Sequence, residues 1–338
     1  MNKLIKPKAL QGGDTVALIS ISGGRAGDTD MLPRYHIGKA RLKDLFGINV
    51  IDCPNSLKGS DYLYKHPKAR AEDLMWALQN TQIKGIIANM GGDDSYRVIP
   101  YVDLKLIHDN PKVFMGYSDI ASWTTCFAVA GVVSFYGPNV LTPIAQPGKL
   151  DDYTYKSIQK TLFSTEIIGN VEPCKVHTPI EWKEKSEDKI IWTNNTGYKI
   201  LQGRGKVQGR LFGGCAAPMR QIMGLSIFPK EDFFEDSVLF LEIGSQYNSL
   251  LAGLHELRAL DAAGMFRKAK GLITGTLTDE EEKMLLKFIK YEARREDMPI
   301  LTNIDFIHRT PMTVIPVGLM AEINCESARF SILEAGVC

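Results

Sequence analysis

Short apolar runs alternate with amphipathic stretches through the first half of the chain. Residues 15–21 are apolar and β-branched and stop at Ser22-Gly23-Gly24. Residues 34–46 carry a helical pattern and 49–52 a short strand. Residues 67–79 predict a helix with apolar Leu74, Trp76 and Leu78 and charged Lys68, Arg70, Glu72 and Asp73. Residues 85–90 predict a strand broken by Gly91-Gly92-Asp93-Asp94, and 103–108 a short helix. Residues 113–115 predict a strand that leads, through Gly116-Tyr117-Ser118-Asp119, into a helix over 120–130. Short apolar strands alternating with helices predict a parallel sheet covered on both faces. Ligands of such sheets bind beyond the carboxyl ends of the strands. Gly23-Gly24, Gly91-Gly92 and Ser118 all fall at strand ends, so they are expected to converge.

Residues 136–150 are rich in Pro and Gly and read as a connection to a helix over 152–163. Beyond it the texture changes, which divides the chain into a first domain, 1–165, and a second, 166–338. Residues 190–192 and 207–212 read as strand-like, with Gly-rich turns at Gly203-Arg204-Gly205 and Gly213-Gly214. Residues 238–242 read as a buried strand, 249–263 as a helix and 271–274 as a strand. A charged amphipathic helix is expected over 279–294, and short strands over 299–301 and 313–317. Strands and helices still mix, so the second domain is expected to be α/β or α+β. The chain shows no internal repeat and no low-complexity tract.

Composition narrows the partners. The 338 residues have room for two domains and a large core. Forty basic and 39 acidic residues nearly cancel, without a like-charge block, so neither a nucleic-acid groove nor a membrane surface is indicated. A small molecule or a peptide is the expected partner. No window reaches the roughly 20 apolar residues of a membrane span, and residues 1–8 carry no apolar leader. Cys53, Cys126, Cys174, Cys215, Cys325 and Cys338 form no C-x-x-C pair, which argues against a zinc knuckle and a disulfide framework. A reduced, cytoplasmic protein without a cofactor is the expectation.

The strand–turn–helix around Ser118 is the setting of a nucleophile elbow, in which backbone N–H groups at the helix start face a developing oxyanion. Gly116 fills the first place of the G-x-S-x-G pattern and Ile120 the last. A Ser here also serves as a helix N-cap, so both readings stand. A serine nucleophile needs a base and an acid to orient it. His36, His66 and His255 lie in charged helical surroundings and read as surface residues. His108 sits at a helix end, and His177 in a polar stretch flanked by Pro. His308 follows a strand and Asp305-Phe306-Ile307, a loop position suited to a site or to a structural hydrogen bond. Glu242 ends an apolar run, where a carboxylate needs a partner: a histidine in a site or an arginine in a salt bridge. The order Ser118, Glu242, His308 is one known among serine hydrolases. Gly91-Gly92 lets N–H groups turn toward an anion or forms a plain turn; no Gly-Lys-Ser/Thr follows, so it is no P-loop. Trp182 and Trp192 flank a Lys-rich stretch and either stack on a ligand ring or cover a strand edge.

Together these motifs resemble the L,D-carboxypeptidase family of serine peptidases, and within it the microcin C immunity branch. The matching pieces include Lys8-Ala9-Leu10-Gln11-Gly12-Gly13-Asp14, Arg70-Ala71-Glu72-Asp73-Leu74 and Met90-Gly91-Gly92-Asp93-Asp94-Ser95. They continue with Gly116-Tyr117-Ser118-Asp119, Gly209-Arg210-Leu211-Phe212-Gly213-Gly214, Phe240-Leu241-Glu242, Asp305-Phe306-Ile307-His308 and Ile315-Pro316-Val317-Gly318. The resemblance implies a triad of Ser118, His308 and Glu242, and an oxyanion hole from the backbone of Asp119 and of Gly92-Asp93. It implies a doubly wound, mostly parallel N-terminal domain, a smaller mixed α/β C-terminal domain, a site between them, a homodimer and no metal. The immunity branch implies a Trp that packs on a nucleobase, a place Trp192 matches better than Trp182. Three positions depart from the family pattern. No acidic residue follows Glu242 in Ile243-Gly244-Ser245-Gln246, Cys215 stands where Asn is usual, and Ile307 where Gly is usual.

Overall fold

The computed structural model describes residues 1, 3–180, 190–243 and 249–338. Its first sheet is built from β1 (Thr15–Ile19), β2 (Asn49–Asp52), β3 (Ile83–Ala88), β4 (Val113–Gly116) and β5 (Ser134–Tyr136). Among the elements that follow are β6 (Gly169–Val171), β7 (Val176–Pro179), β8 (Thr193–Asn194), β9 (Lys199–Gln202) and β10 (Lys206–Cys215). Then come β11 (Ser237–Glu242), β12 (Gly271–Thr274), β13 (Ile300–Thr302), β14 (Arg309–Thr310), β15 (Ile315–Val317), β16 (Met320–Asn324) and β17 (Arg329–Ile332).

The first sheet has the order β15-β5-β4-β3-β1-β2. β1 to β5 pair in parallel, and β15 closes one edge antiparallel to β5. The chain winds outward in both directions from β1 and β3, which makes this a doubly wound sheet whose crevice lies beyond the strand ends where the winding reverses. β1 and β4 are almost wholly apolar and buried, as strands covered on both faces must be. The second sheet runs β6-β17-β16-β10-β11-β12-β13-β9. Its centre, β10 to β13, is parallel, and antiparallel strands flank it on both sides. The fold is therefore α/β with two parallel-rich sheets. One hydrophobic cluster runs from Val16 and Met115 of the first sheet to Phe240 and Ile273 of the second.

The expected elements over 49–52, 67–79 and 271–274 keep those limits. Three expectations change. Residues 190–192 are not a strand; pairing starts only at Thr193, opposite His177. The connection expected from residue 136 begins later, because Ser134–Tyr136 pairs with β4 and β15. Gly213-Gly214 is not a turn but the interior of β10. Both residues have positive φ, and a Cβ at Gly213 would lie 1.8 Å from the Phe240 carbonyl oxygen. A Cβ at Gly214 would lie 2.6 Å from that of Ala121, at the start of the helix behind Ser118. Gly213 thus lets β10 lie against β11, and Gly214 lets the second sheet approach the first.

Candidate active site

Ser118 follows β4 with φ at +67°, a left-handed conformation that costs a non-glycine residue about 1–3 kcal/mol and clusters at functional sites. It does not cap the helix Ala121–Val129, which has no side-chain cap. Its hydroxyl instead stands 2.9 Å from Nε2 of His308. His308 Nδ1 lies 2.6 Å from Oε1 of Glu242, and the His308 backbone N–H donates to the same oxygen at 3.0 Å. Glu242 is 5% exposed at the end of β11, and its partner is His308 rather than an arginine. Burial pushes the His308 pKa down. The charge of Glu242 and its hydrogen bond outweigh burial and hold the imidazole above its ordinary value.

Tyr136 ties the Ser118 backbone to Glu242. Its hydroxyl accepts the Ser118 N–H at 3.1 Å and donates toward Glu242 Oε2 at 3.5 Å. Tyr117 packs edge-on to the His308 ring at 5.1 Å between centroids and shares a hydrogen bond with Thr142. Sequence reasoning missed Tyr136 because its strand is only three residues long and sits at the edge of a Pro/Gly-rich stretch.

The loops after β1 and β3 meet the elbow. The Gly23 N–H donates to the Gly91 carbonyl at 2.9 Å. A Cβ at Gly91 would lie 2.7 Å from that of Ser118, so only glycine leaves room for the Ser118 side chain. Asp119 is buried, and its carboxylate accepts the Ser22 hydroxyl at 2.5 Å and the Ser95 N–H at 2.8 Å. Burial pushes its pKa up against those hydrogen bonds. Arg70, 1% exposed, reaches from the helix Pro67–Gln79 to Asp94 through two guanidinium nitrogens at 2.8 and 3.0 Å and donates to the Ser22 carbonyl at 2.9 Å. Of the charged residues of that helix, Arg70 and Asp73 both point inward.

Gly92, Asp93, Ser118, Asp119 and His308 line one cavity of about 430 Å³, together with Cys215 at the end of β10 and Ala217 of the helix that follows it. The structure brings these sequence-predicted residues together. Trp192 lies before β8, 42% exposed, and is not among the residues lining this cavity; Trp182 falls outside the described residues. Ile307 packs against Gly275, where any side chain would collide with it. His36, His66 and His255 are exposed, and His177 accepts a hydrogen bond from Arg309 at 3.1 Å. Among the described residues, no group of His, Cys, Asp or Glu is arranged to hold a metal, and no helix is long and apolar enough to cross a membrane.

A buried carboxylate, an imidazole and a hydroxyl in line, beside a glycine-lined cavity at the ends of parallel strands, define a hydrolase-type site. The models for the LD-carboxypeptidase N-terminal and C-terminal domains match residues 16–137 and 208–323. The chain belongs to the LD-carboxypeptidase family. It is similar to the microcin C7 self-immunity protein MccF of Escherichia coli, with 27% identity over 79% of this chain and 78% of that one. It is also similar to a probable murein peptide carboxypeptidase of Bacillus subtilis, with 26% identity over 98% and 95% of the two chains. Among solved structures, an MccF-like protein from Streptococcus pneumoniae in complex with AMP superposes with a TM-score of 0.85, at 27% identity, over 95% of this chain and 98% of that one.

Proposed function

We propose that this protein is a serine hydrolase that cleaves an amide bond of an aminoacyl-nucleotide of the microcin C type, a detoxifying or self-immunity activity. The observation that carries the reading is the hydrogen-bonded line from Ser118 through His308 to Glu242. Ser118 Oγ attacks the carbonyl carbon while its proton passes to His308 Nε2. The tetrahedral oxyanion is received by backbone N–H groups of Asp119 and the Gly92-Asp93 turn. The C–N bond then breaks, and His308 gives the proton to the leaving amine. Water, deprotonated by His308, hydrolyses the ester formed on Ser118 and restores the hydroxyl. Glu242 holds the imidazole with Nδ1–H toward itself and stabilises the charged form. The nucleotide part of the reading is supported by the AMP bound to the similar S. pneumoniae protein.

A second reading, a murein L,D-carboxypeptidase, is favoured by the B. subtilis relative, which this chain matches over nearly its whole length. Hydrolysis of an aminoacyl sulfamoyl adenosine and of a muropeptide tetrapeptide, assayed side by side, separates the two. A fluorophosphonate is expected to label wild type stoichiometrically and the Ser118→Ala protein not at all, with turnover falling by about 10⁴-fold or more. An unlabelled wild type would leave only a ligand-binding protein.

A further inference from the structure

His308 lies on the loop between β13 and β14, where no strand or helix fixes its place. Three residues earlier, Asp305 gathers donors from three separate segments. Its Oδ2 accepts the Cys174 N–H at 2.8 Å and the Tyr153 hydroxyl at 3.3 Å. Its Oδ1 accepts the Cys174 thiol and the Asn195 side-chain amide, both at 3.1 Å. Its carbonyl accepts the Thr313 N–H at 2.6 Å, which closes the loop on itself. Tyr153 belongs to the helix Asp152–Leu162, Cys174 precedes β7 and Asn195 follows β8. Asn303 reinforces the contact at Asn195, since its side-chain amide donates to the Gly197 carbonyl at 2.9 Å. On the other side of His308, β14 pairs with β7 through Arg309 and Thr310, and the Arg309 guanidinium donates to His177 Nε2 at 3.1 Å. The paired strands β7 and β8 and their outer ends therefore grip the loop both before and after the histidine.

We propose that Asp305 is a positioning residue for hydrolysis: by fixing the loop to the outer ends of β7 and β8 and to the helix Asp152–Leu162, it sets His308 where Nε2 meets Ser118 and Nδ1 meets Glu242. The proposal rests on the hydrolase reading above and adds a part to that site. The residue type fits the task. An ionised carboxylate carries only acceptors, and here each oxygen faces two donors. Burial pushes the Asp305 pKa up, against the hydrogen bonds from Cys174 and Tyr153 and the charge of Arg309. Asparagine has the same shape, but its amide nitrogen would face donors, so one side of the clamp is lost without a loss of volume. A shift of the loop moves both groups of His308 that hold Glu242, the backbone N–H and Nδ1. Reaction rates fall steeply with such shifts, by about 100-fold for a misplacement of about 1 Å.

Among the described residues, Glu242 of β11, Tyr117 and Ser118 of the elbow and the adjacent Arg309, turned toward His177, face or flank His308. The test uses a fluorophosphonate, whose reaction with Ser118 needs His308 as base whatever the natural substrate is. The labelling rate is measured from about pH 5 to 9, with the melting temperature beside it, for wild type, Asp305→Asn and Asn195→Ala. Asn195→Ala keeps the charge of Asp305 and removes one of its donors. Asp305→Asn is expected to label about tenfold more slowly or worse, and Asn195→Ala about threefold more slowly. In both, the acid limb is expected to move to lower pH, because His308 loses part of its contact with Glu242 while its burial remains. An acid limb that stays in place in both variants overturns the proposal and makes Asp305 structural only, whatever the melting temperatures. A limb that moves in Asp305→Asn but not in Asn195→Ala assigns the effect to the lost charge and overturns it as well. Should Asp305→Asn fail to fold, Asn195→Ala decides alone. Each of these results leaves the hydrolase reading intact, whereas an unlabelled wild type removes that reading and this proposal with it.

Discussion

His308 is where two opposing electrostatic effects meet. Burial favours the neutral ring, and Glu242 favours the charged one strongly enough to hold the pKa above 6.5. The ring must be neutral to accept the Ser118 proton, so kcat/KM falls as pH drops through the pKa of the free enzyme. Because that pKa is raised, the acid limb is expected above the ordinary imidazole value. Glu242→Gln removes the charge and leaves burial acting alone, so the limb moves to lower pH. The plateau is expected to fall as well, by about 10³-fold or more, because the amide no longer fixes the tautomer or stabilises imidazolium. Profiles of kcat/KM between about pH 5 and 9 for the two proteins check this. Superimposable limbs would show that Glu242 does not govern the base. Tyr136 belongs to the same unit, since its hydroxyl holds the Ser118 N–H while facing Glu242.

At the scale of elements, the elbow is held by what surrounds it. Ser118, with its positive φ, sits between β4, the loop after β3 and the start of the helix Ala121–Val129, with Gly91 packed closely against it. The Gly-rich loop after β3 is fastened in turn by Asp119 through Ser95 and by Arg70 through Asp94. Asp94 balances two cations, one of them the buried Arg70. Asp94→Ala leaves the Arg70 guanidinium buried with little more than the Ser22 carbonyl. Removing one partner of a buried pair is strongly destabilising, and here the expected loss is about 3 kcal/mol. Urea unfolding measures it, and a loss within about 0.5 kcal/mol, the range of an ordinary surface substitution, would refute the fastening role.

At the scale of the molecule, the site is an assembly of distant segments. Ser118 comes from the first sheet, Glu242 from the second, and His308 from the loop that leads from β13 to β14. The chain then returns β15 to the edge of the first sheet, and one apolar cluster joins the two sheets. Trp192 stands apart from the cavity with much of its ring exposed. If that ring receives the nucleobase, Trp192→Ala is expected to weaken nucleotide substrates by roughly 1–3 kcal/mol and a muropeptide little. Equal losses for both, measured as KM or by calorimetry, would assign Trp192 a structural part instead.

Much of this was legible in the chain, because local pattern carries it. The alternation of apolar strands and helices determined the parallel sheet, and Gly91-Gly92 and Ser118 fell at its strand ends, where a crevice forms. The order of Ser118, Glu242 and His308 limited the chemistry. The sequence left Ser118 open as a helix cap and Glu242 as a salt-bridge partner, because which side chains meet over 66 or 190 residues of separation is decided by packing. Tertiary structure alone put Tyr136 between Ser118 and Glu242, since its short strand carries no period of its own. It alone turned Gly213-Gly214 from an apparent turn into a strand interior, since a glycine needed for close approach looks like one needed for a bend. It alone buried Arg70 and Asp73, because ion pairing and hydrogen bonding, rather than hydropathy, keep them inside.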